Sequence, residues 1–354
     1  MSMGTTSADT PLLQIAHQQP DAAWLRASVE DALDPELPII DPHHHFSEHW
    51  GGYLPDDLLA DGQGHHFVAT VYVQCGWQHW SDGPDAMRPV GEIEAVVAVT
   101  REANLRQQKT HVAAGIVGYA DLRQGAAIDE VLAAQVAAGD GRFRGIRNSG
   151  AYHPSFKHGV LPRPMPGLYR DAAFREGYAQ LARHGLSFDA WIYHPQMAEV
   201  YELACAFPET SLVLDHIGGV LGVAEYAGQS ARAQAEWRPW LRRLATCPNV
   251  FVKLGGLGTA VFGYGFAARP EPPTSTQLAD AWRPWMEPVL EHFGAERCMF
   301  ESNFPVDRSA AGYGVVWNAY KRIAAGAREE QKHLLFHDTA AQVYRISSQE
   351  NRKK

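Results

Sequence analysis

The polarity pattern along the chain alternates between short, nearly all-apolar runs and longer amphipathic ones. Eight runs of the first kind stand out: "PIIDPHHHF", "FVATVYVQCG", "VAAGIVGYADL", "FRGIRNSG", "LSFDAWIYH", "SLVLDHIGG", "NVFVKLGGLG" and "RCMFESNF". Most are too apolar to leave one face wet, which argues for strands covered on both sides, as in a parallel sheet. Helix-like segments lie between them, among them "DAMRPVGEIEAVVAVTREANLRQQ", "AIDEVLAAQVAAG", "QMAEVYELACAFPE", "SARAQAEWRPWLRRLATCP" and "STQLADAWRPWMEPVLEHFG". "YRDAAFREGYAQLARHG" ends on Gly185, a residue suited to the left-handed turn past a helix end. The first crossover is the thinnest, with only "LPDDLLA" helix-like.

Eight strand-helix units predict a single-domain (β/α)8 TIM barrel, an α/β fold, over residues 37–346. Residues 1–36 read as an extension packed outside the barrel, and 347–354 as a polar tail. A doubly wound open sheet is the rival. It needs no eighth strand, and no G-x-G-x-x-G opens a helix after the first strand here. "AYHPSFKHGVLPRPMPG" after strand 4 and "GYGFAARPEPPTST" after strand 7 read as ordered loops over the C-terminal mouth, where barrel active sites are built. At 354 residues and 45% hydrophobic, the chain can bury so large a core.

A net charge of -9 argues against nucleic acid, which needs a basic face, and gives no reason to expect an anionic membrane surface. No apolar run reaches the roughly 18–20 residues of a membrane span, and "MSMGTTSADTPLLQ" lacks the pattern of a signal peptide. Cys75, Cys205, Cys247 and Cys298 form no C-x-x-C pair and are expected as buried, reduced thiols. The expectation is a soluble, cytoplasmic protein acting on a small molecule; a homo-oligomer stays open. There is no G-x-S-x-G elbow and no Walker-type loop.

The candidate chemistry sits at the predicted strand ends. In "IIDPHHHF", alternation puts Asp41, His43 and His45 on one face and His44 on the other, toward the helices. Two imidazoles two residues apart at the mouth can chelate one divalent ion. The other ends carry Arg147 in "RGIRNS", Tyr193 and His194 in "WIYHP", and His216 in "LDHIGG". Lys253 stands inside "VFVKLGG", as a barrel-interior contact or a structural ion pair, and "ESNFPVD" brings Glu301, Asn303 and Asp307. These groups converge only if the sheet closes.

With these motifs, the sequence resembles the amidohydrolase-related family of the amidohydrolase superfamily. It looks most like the lactonase branch typified by pyrone dicarboxylate and sugar-acid lactonases. "IIDPHHHF", "LVLDHIGG", "ESNFPVD" and the terminal "FHDTAAQVYRI" carry the likeness, from about residue 38 to 346. The resemblance implies that His43 and His45 bind a metal or contact substrate, and that His216 polarises the scissile carbonyl or binds metal. It also implies that Arg147 grips a substrate carboxylate. Metal ligation by His43, His45 and His216, with Zn²⁺ or Mn²⁺, stays open. Tyr193, His194 and Lys253 join Arg147 as candidate substrate contacts.

Asn303 falls where the family usually has an aspartate that takes a proton from the attacking water. An amide has no titratable proton near neutral pH and cannot serve as that base in the usual way. Three outcomes follow. Glu301 or Asp307 takes the role; or the reaction is a metal-assisted lyase step, such as a decarboxylation or hydration, that needs no such base; or the barrel only binds its ligand. The first, opening of a lactone or similar activated carbonyl, is the leading reading.

Overall fold

The computed structural model describes residues 13–14, 20–48, 52–106, 109–157 and 165–347. Eight parallel strands run in sequence order around one sheet. They are β1 (Pro38–His44), β2 (His66–Val73), β3 (His111–Gly118), β4 (Phe143–Arg147), β5 (Ser187–Ala190), β6 (Leu212–Leu214), β7 (Val250–Leu254) and β8 (Cys298–Phe300). The seam between β8 and β1 is closed just past the end of β8. Asn303 N donates to His43 O at 2.9 Å and His45 N to Phe304 O at 2.7 Å. With helices between the strands, this is the (β/α)8 barrel the pattern predicts.

Two apolar regions hold it together. The larger lies between strands and helices and contains Trp237, Trp282 and Trp317, all fully buried. The smaller fills the barrel interior with Ile40, Val71, Val73, Val117, Val213, Phe251 and Met299, and the C-terminal helix inserts Val343 and Tyr344 among them. Side chains thus plug the barrel below the mouth, leaving the polar strand ends as its top layer. Local sequence sets the helix limits. Asp171 accepts from Phe174 N at 2.9 Å to open Ala172–Arg183. That helix closes on a Schellman turn in which Gly185, at φ 62, donates to Ala182 O and Leu186 to Leu181 O. Thr274 and Gln277 form a reciprocal capping box at the start of Ser275–Phe293.

The N-terminal segment touches both long loops. Leu13–Gln14 pairs in parallel with Phe156–Lys157, in the loop after β4. Trp24 Nε1 donates to Arg269 O, and Ser28 Oγ to Pro273 O, in the loop after β7. Residues 158–164 of the first loop, 1–12 and 15–19 of the extension and the tail from 348 lie outside the described residues.

Two expectations are corrected. Cys205 is exposed rather than buried, on the outer face of Met197–Ala206, with its Sγ 3.6 Å from that of Cys247. Asp41 does not share a face with His43. The β1–β2 register shifts between Asp41 and His44, and this irregularity breaks the two-residue alternation. The Asp41 carboxylate instead meets Tyr313 OH (2.8 Å) from the helix layer and Ser302 Oγ (2.6 Å) from the segment after β8. It also accepts from Ser302 N at 3.0 Å and His43 N at 3.2 Å, so it pins the seam from outside. Burial raises its pKa to about 6 against these bonds.

Candidate active site

His43 occupies the centre of the barrel mouth and is fully buried. Its Nδ1 lies 2.8 Å from Glu301 Oε2 and its Nε2 3.2 Å from Arg147 Nη1. A guanidinium can only donate and a carboxylate can only accept. The neutral ring with its proton on Nδ1 satisfies these two, and Lys253 Nζ, 3.2 Å from the same nitrogen, is then a charge contact and not a hydrogen bond. Burial first, and then Lys253, hold the His43 pKa below the ordinary imidazole value, which agrees with a neutral ring.

Glu301 bridges two histidines. Its other oxygen, Oε1, lies 2.6 Å from His216 Nδ1 and also accepts from His216 N at 3.1 Å. Burial works to raise the Glu301 pKa, but His216 and His43 outweigh it and bring it down to about 2. The carboxylate is therefore ionised and committed at both ends. It fixes the tautomer of His216 as it does that of His43, leaving the lone pair of His216 on Nε2.

His216 reaches the site through an unusual backbone. It opens a run of left-handed residues, with φ 52 at His216, 53 at Ile217, 83 at Gly218 and 55 at Gly219. That turn lets Asp215 and His216, neighbours in sequence, both join one charged cluster. The ring needs room on the β7 side, where a Cβ on Gly256 would lie 2.1 Å from His216 Nδ1. Gly256 itself has φ 70, so an alanine there meets both strain and overlap. Gly256→Ala is expected to destabilise the fold by about 1–3 kcal/mol, read as a fall in the urea midpoint with an unchanged m-value.

Below His43 lies a buried charge cluster. Lys253 Nζ contacts Asp189 Oδ2 at 2.6 Å, Asp215 Oδ1 at 3.0 Å and His43 Nδ1 at 3.2 Å. Tyr344 OH, from the C-terminal plug, donates to Asp189 Oδ2 at 2.7 Å. Burial opposes the ammonium, but Asp189, Asp215 and Glu301 raise the Lys253 pKa above its ordinary value. Asp215 is burdened by burial, yet Lys253 and His43 hold its carboxyl well below the usual range. Arg147 Nη1 reaches Asp215 Oδ2 at 3.7 Å, and its Nη2 donates to Gln74 O.

The third corner is His45, Asn303 and Asp307. His45 Nδ1 donates to Val73 O at 2.7 Å, and its Nε2 stands 3.3 Å from Asn303 Oδ1. The Asn303 amide nitrogen lies 2.9 Å from Asp307 Oδ1 and 3.1 Å from Thr259 Oγ1. The short helix Val306–Ser309 folds Asp307 back under Asn303, with Asp307 N donating to Asn303 O. Burial pushes the Asp307 pKa up to about 7.

The structure thus gathers His43, His45, His216, Arg147, Lys253, Glu301, Asn303 and Asp307 around one mouth. Tyr193 lies beside them, with its ring 5.7 Å from that of Trp191, which in turn sits 4.8 Å from His216. His194 is directed elsewhere: its Nδ1 accepts from Leu221 N at 3.2 Å and its ring packs on Tyr226 at 4.6 Å. His44 turns to the helix side, with Nε2 2.8 Å from Thr70 Oγ1 and its ring near Phe46. Asp189, Asp215 and Trp191 were not singled out from the sequence. Each lies within an apolar strand run, but only the left-handed turn at His216 and the closed sheet bring them to the site.

The metal question comes down to the donors. His43, Asp215 and His216 bring ligand atoms within 4.8 Å of one another, with Asp215 Oδ1 3.0 Å from Lys253 Nζ and His43 Nε2 3.2 Å from Arg147 Nη1. Two imidazoles and a carboxylate suit a divalent ion such as Zn²⁺. In this grouping Asp215 stands where the sequence suggested His45, whose nitrogens face Val73 O and Asn303.

Fold and mouth together define an amidohydrolase-type barrel. The amidohydrolase family model matches residues 40–346, and the chain belongs to that family. It is 32% identical to the protein y4mH of Sinorhizobium fredii, over 88% of this chain and 99% of that one. It is 28% identical to an L-fucono-1,5-lactonase of Burkholderia multivorans, over 87% and 96%. A crystal structure of a Burkholderia multivorans amidohydrolase with bound zinc superposes with a TM-score of 0.65 at 25% identity, over 87% of this chain and 99% of that chain.

Proposed function

We propose that this amidohydrolase hydrolyses a lactone of a small organic acid, with His216 as the base that activates water. The observation that carries this reading is the His216–Glu301 pair. An ionised carboxylate 2.6 Å from Nδ1 holds the imidazole with its other nitrogen bare, the arrangement that equips a histidine to take a proton. This also supplies what Asn303 lacks. Strand 8 still brings a carboxylate to the base, two residues earlier and acting through a histidine, so the amide is no argument for a base-free reaction. The lactonase names among the relatives point to the same bond.

The step runs as follows. Water oxygen adds to the lactone carbonyl carbon and gives its proton to His216 Nε2. The tetrahedral intermediate collapses, the ring C–O bond breaks, and the leaving alkoxide recovers the proton, yielding a hydroxy acid. Arg147, tethered by Gln74 O and His43, presents the cation for a carbonyl oxygen or a carboxylate. His45 and Asn303 position the water or substrate by hydrogen bonds. Lys253 keeps Asp189 and Asp215 paired beneath. Tyr193 and Trp191 wall the substrate, and His194 braces the neighbouring loop. If His43, Asp215 and His216 held a divalent ion, the ion would take His216 Nε2 in place of the proton and would supply Lewis-acid polarisation of the carbonyl.

A panel of sugar-acid 1,4- and 1,5-lactones and pyrone carboxylates tests the reading, with acid release followed by a pH indicator, with and without chelator. Turnover that disappears in His216→Ala is the expected result. An inert panel, together with CO₂ release from aromatic acids, would move the protein to the lyase reading.

A further inference from the structure

Two cysteines meet at the end of the barrel away from the mouth. Cys205 lies in the last turn of the helix Met197–Ala206, which leads into β6. Cys247 lies just past the helix Ser230–Ala245, which leads into β7. A helix that leads into a barrel strand ends beneath that strand's N-terminal end. The pair therefore sits under the two units that carry Asp215, His216 and Lys253 at the opposite end. The sulfurs are 3.6 Å apart, in van der Waals contact, although 42 positions separate them in the chain.

Hydrogen bonds hold the backbone on both sides of this contact. The side-chain amide of Asn249, just before β7, donates among Ala204 O and Phe207 O, each at 3.2 Å, and Thr210 O at 3.1 Å. These carbonyls bracket Cys205. Arg297 Nη1 donates to Ala245 O at 3.0 Å and to Cys247 O at 3.1 Å. Access to the two thiols is unequal. Cys205 is exposed and Cys247 is buried. Burial, and then Cys205, push the Cys247 thiol up to about 11. Cys75 and Cys298 are buried elsewhere in the core, where burial pushes both thiols far up. An oxidant in solution therefore meets Cys205 first, and the sulfur beside it is that of Cys247.

We propose that Cys205 and Cys247 are a modification site: a hydroperoxide converts them to a reversible disulfide that cross-links the base of the barrel between the β6 and β7 units. The Cys205 sulfur, as thiolate, attacks one oxygen of the hydroperoxide. The O–O bond breaks, leaving a sulfenic acid on Cys205 and an alkoxide, which takes the proton the thiol gave up. The Cys247 sulfur then attacks the Cys205 sulfur. The S–S bond forms, the S–O bond breaks, and the leaving hydroxide takes the Cys247 proton to become water. Two thiols are oxidised to one disulfide, and one hydroperoxide is reduced to an alcohol and water. The lactonase reading has no part in this.

Hydrogen peroxide is the probe. The reduced full-length protein is treated with it, remaining thiols are alkylated in denaturant, and the proteolytic peptides are mapped by mass. The expected product is one peptide pair joined through Cys205 and Cys247, with Cys75 and Cys298 alkylated, and dithiothreitol should separate the pair. In Cys247→Ser the reaction should stop at a Cys205 sulfenic acid that dimedone captures, and in Cys205→Ser the Cys247 thiol should stay open to alkylation. Cys205 bonded to a second chain would overturn the proposal. So would Cys205 oxidised to sulfinic acid beside a free Cys247, or no change at either. Closing a loop of this length should also raise the thermal midpoint, by up to about 5 °C, in wild type but not in Cys205→Ser. A cross-linked wild type with an unchanged or lower midpoint would overturn the bracing of the barrel base.

Discussion

Glu301→Gln is expected to lower lactone turnover by about 10³–10⁴-fold while the barrel still folds. The glutamine has the same shape but loses the charge that two histidines share. In the wild type, Oε1 lies 2.6 Å from His216 Nδ1 and Oε2 2.8 Å from His43 Nδ1. An amide can accept at one of these and must donate at the other, so one ring is forced into the wrong tautomer. If His216 is that ring, its proton moves to Nε2 and the base is lost. If it is His43, Nε2 faces the Arg147 guanidinium donor to donor. Steady-state kinetics beside a thermal melt decide the matter. A variant within tenfold of wild-type kcat would show that the His216–Glu301 pair is not the base.

Lys253→Met should be the most destabilising single change at the mouth, by about 3–5 kcal/mol. It leaves Asp189 and Asp215 buried and facing each other without their ammonium, which stands 2.6 and 3.0 Å from them. Methionine fills the volume of the lysine stem, so the effect measures charge rather than a cavity. Adding Asp189→Asn should recover a good part of the loss, because the orphaned charge goes with it. Urea midpoints of the two single variants and the double one give the coupling. Additive losses would mean that the two side chains are not a pair.

The barrel was legible because parallel strands buried on both faces read as apolar runs, and amphipathic helices separate them. The convergence of Arg147, Lys253, Glu301 and Asn303 followed from that topology, and that of His216 from the topology together with the left-handed turn it opens. What the sequence could not show was backbone detail. Strict alternation misplaced Asp41, because an irregularity in β1 changes parity between Asp41 and His43. It passed over Asp215, because alternation sends neighbours to opposite faces and only the left-handed turn at His216 cancels this. It grouped His194 with the mouth, since nothing in "WIYHP" tells that the ring folds back onto Leu221 and Tyr226.

The seam between the two ends of the sheet has a consequence for how the protein becomes active. The bonds that close it, from Asn303 to His43 and from His45 to Phe304, are made by the backbone of the very residues that carry the candidate chemistry. They join positions about 260 residues apart, the longest-range and entropically latest kind of contact a chain can make. A nascent or partly folded chain can therefore hold most of its helices and strands and still have no site. Recovery of turnover during refolding should lag recovery of helical circular dichroism, which makes catalysis a sensor of completed ring closure.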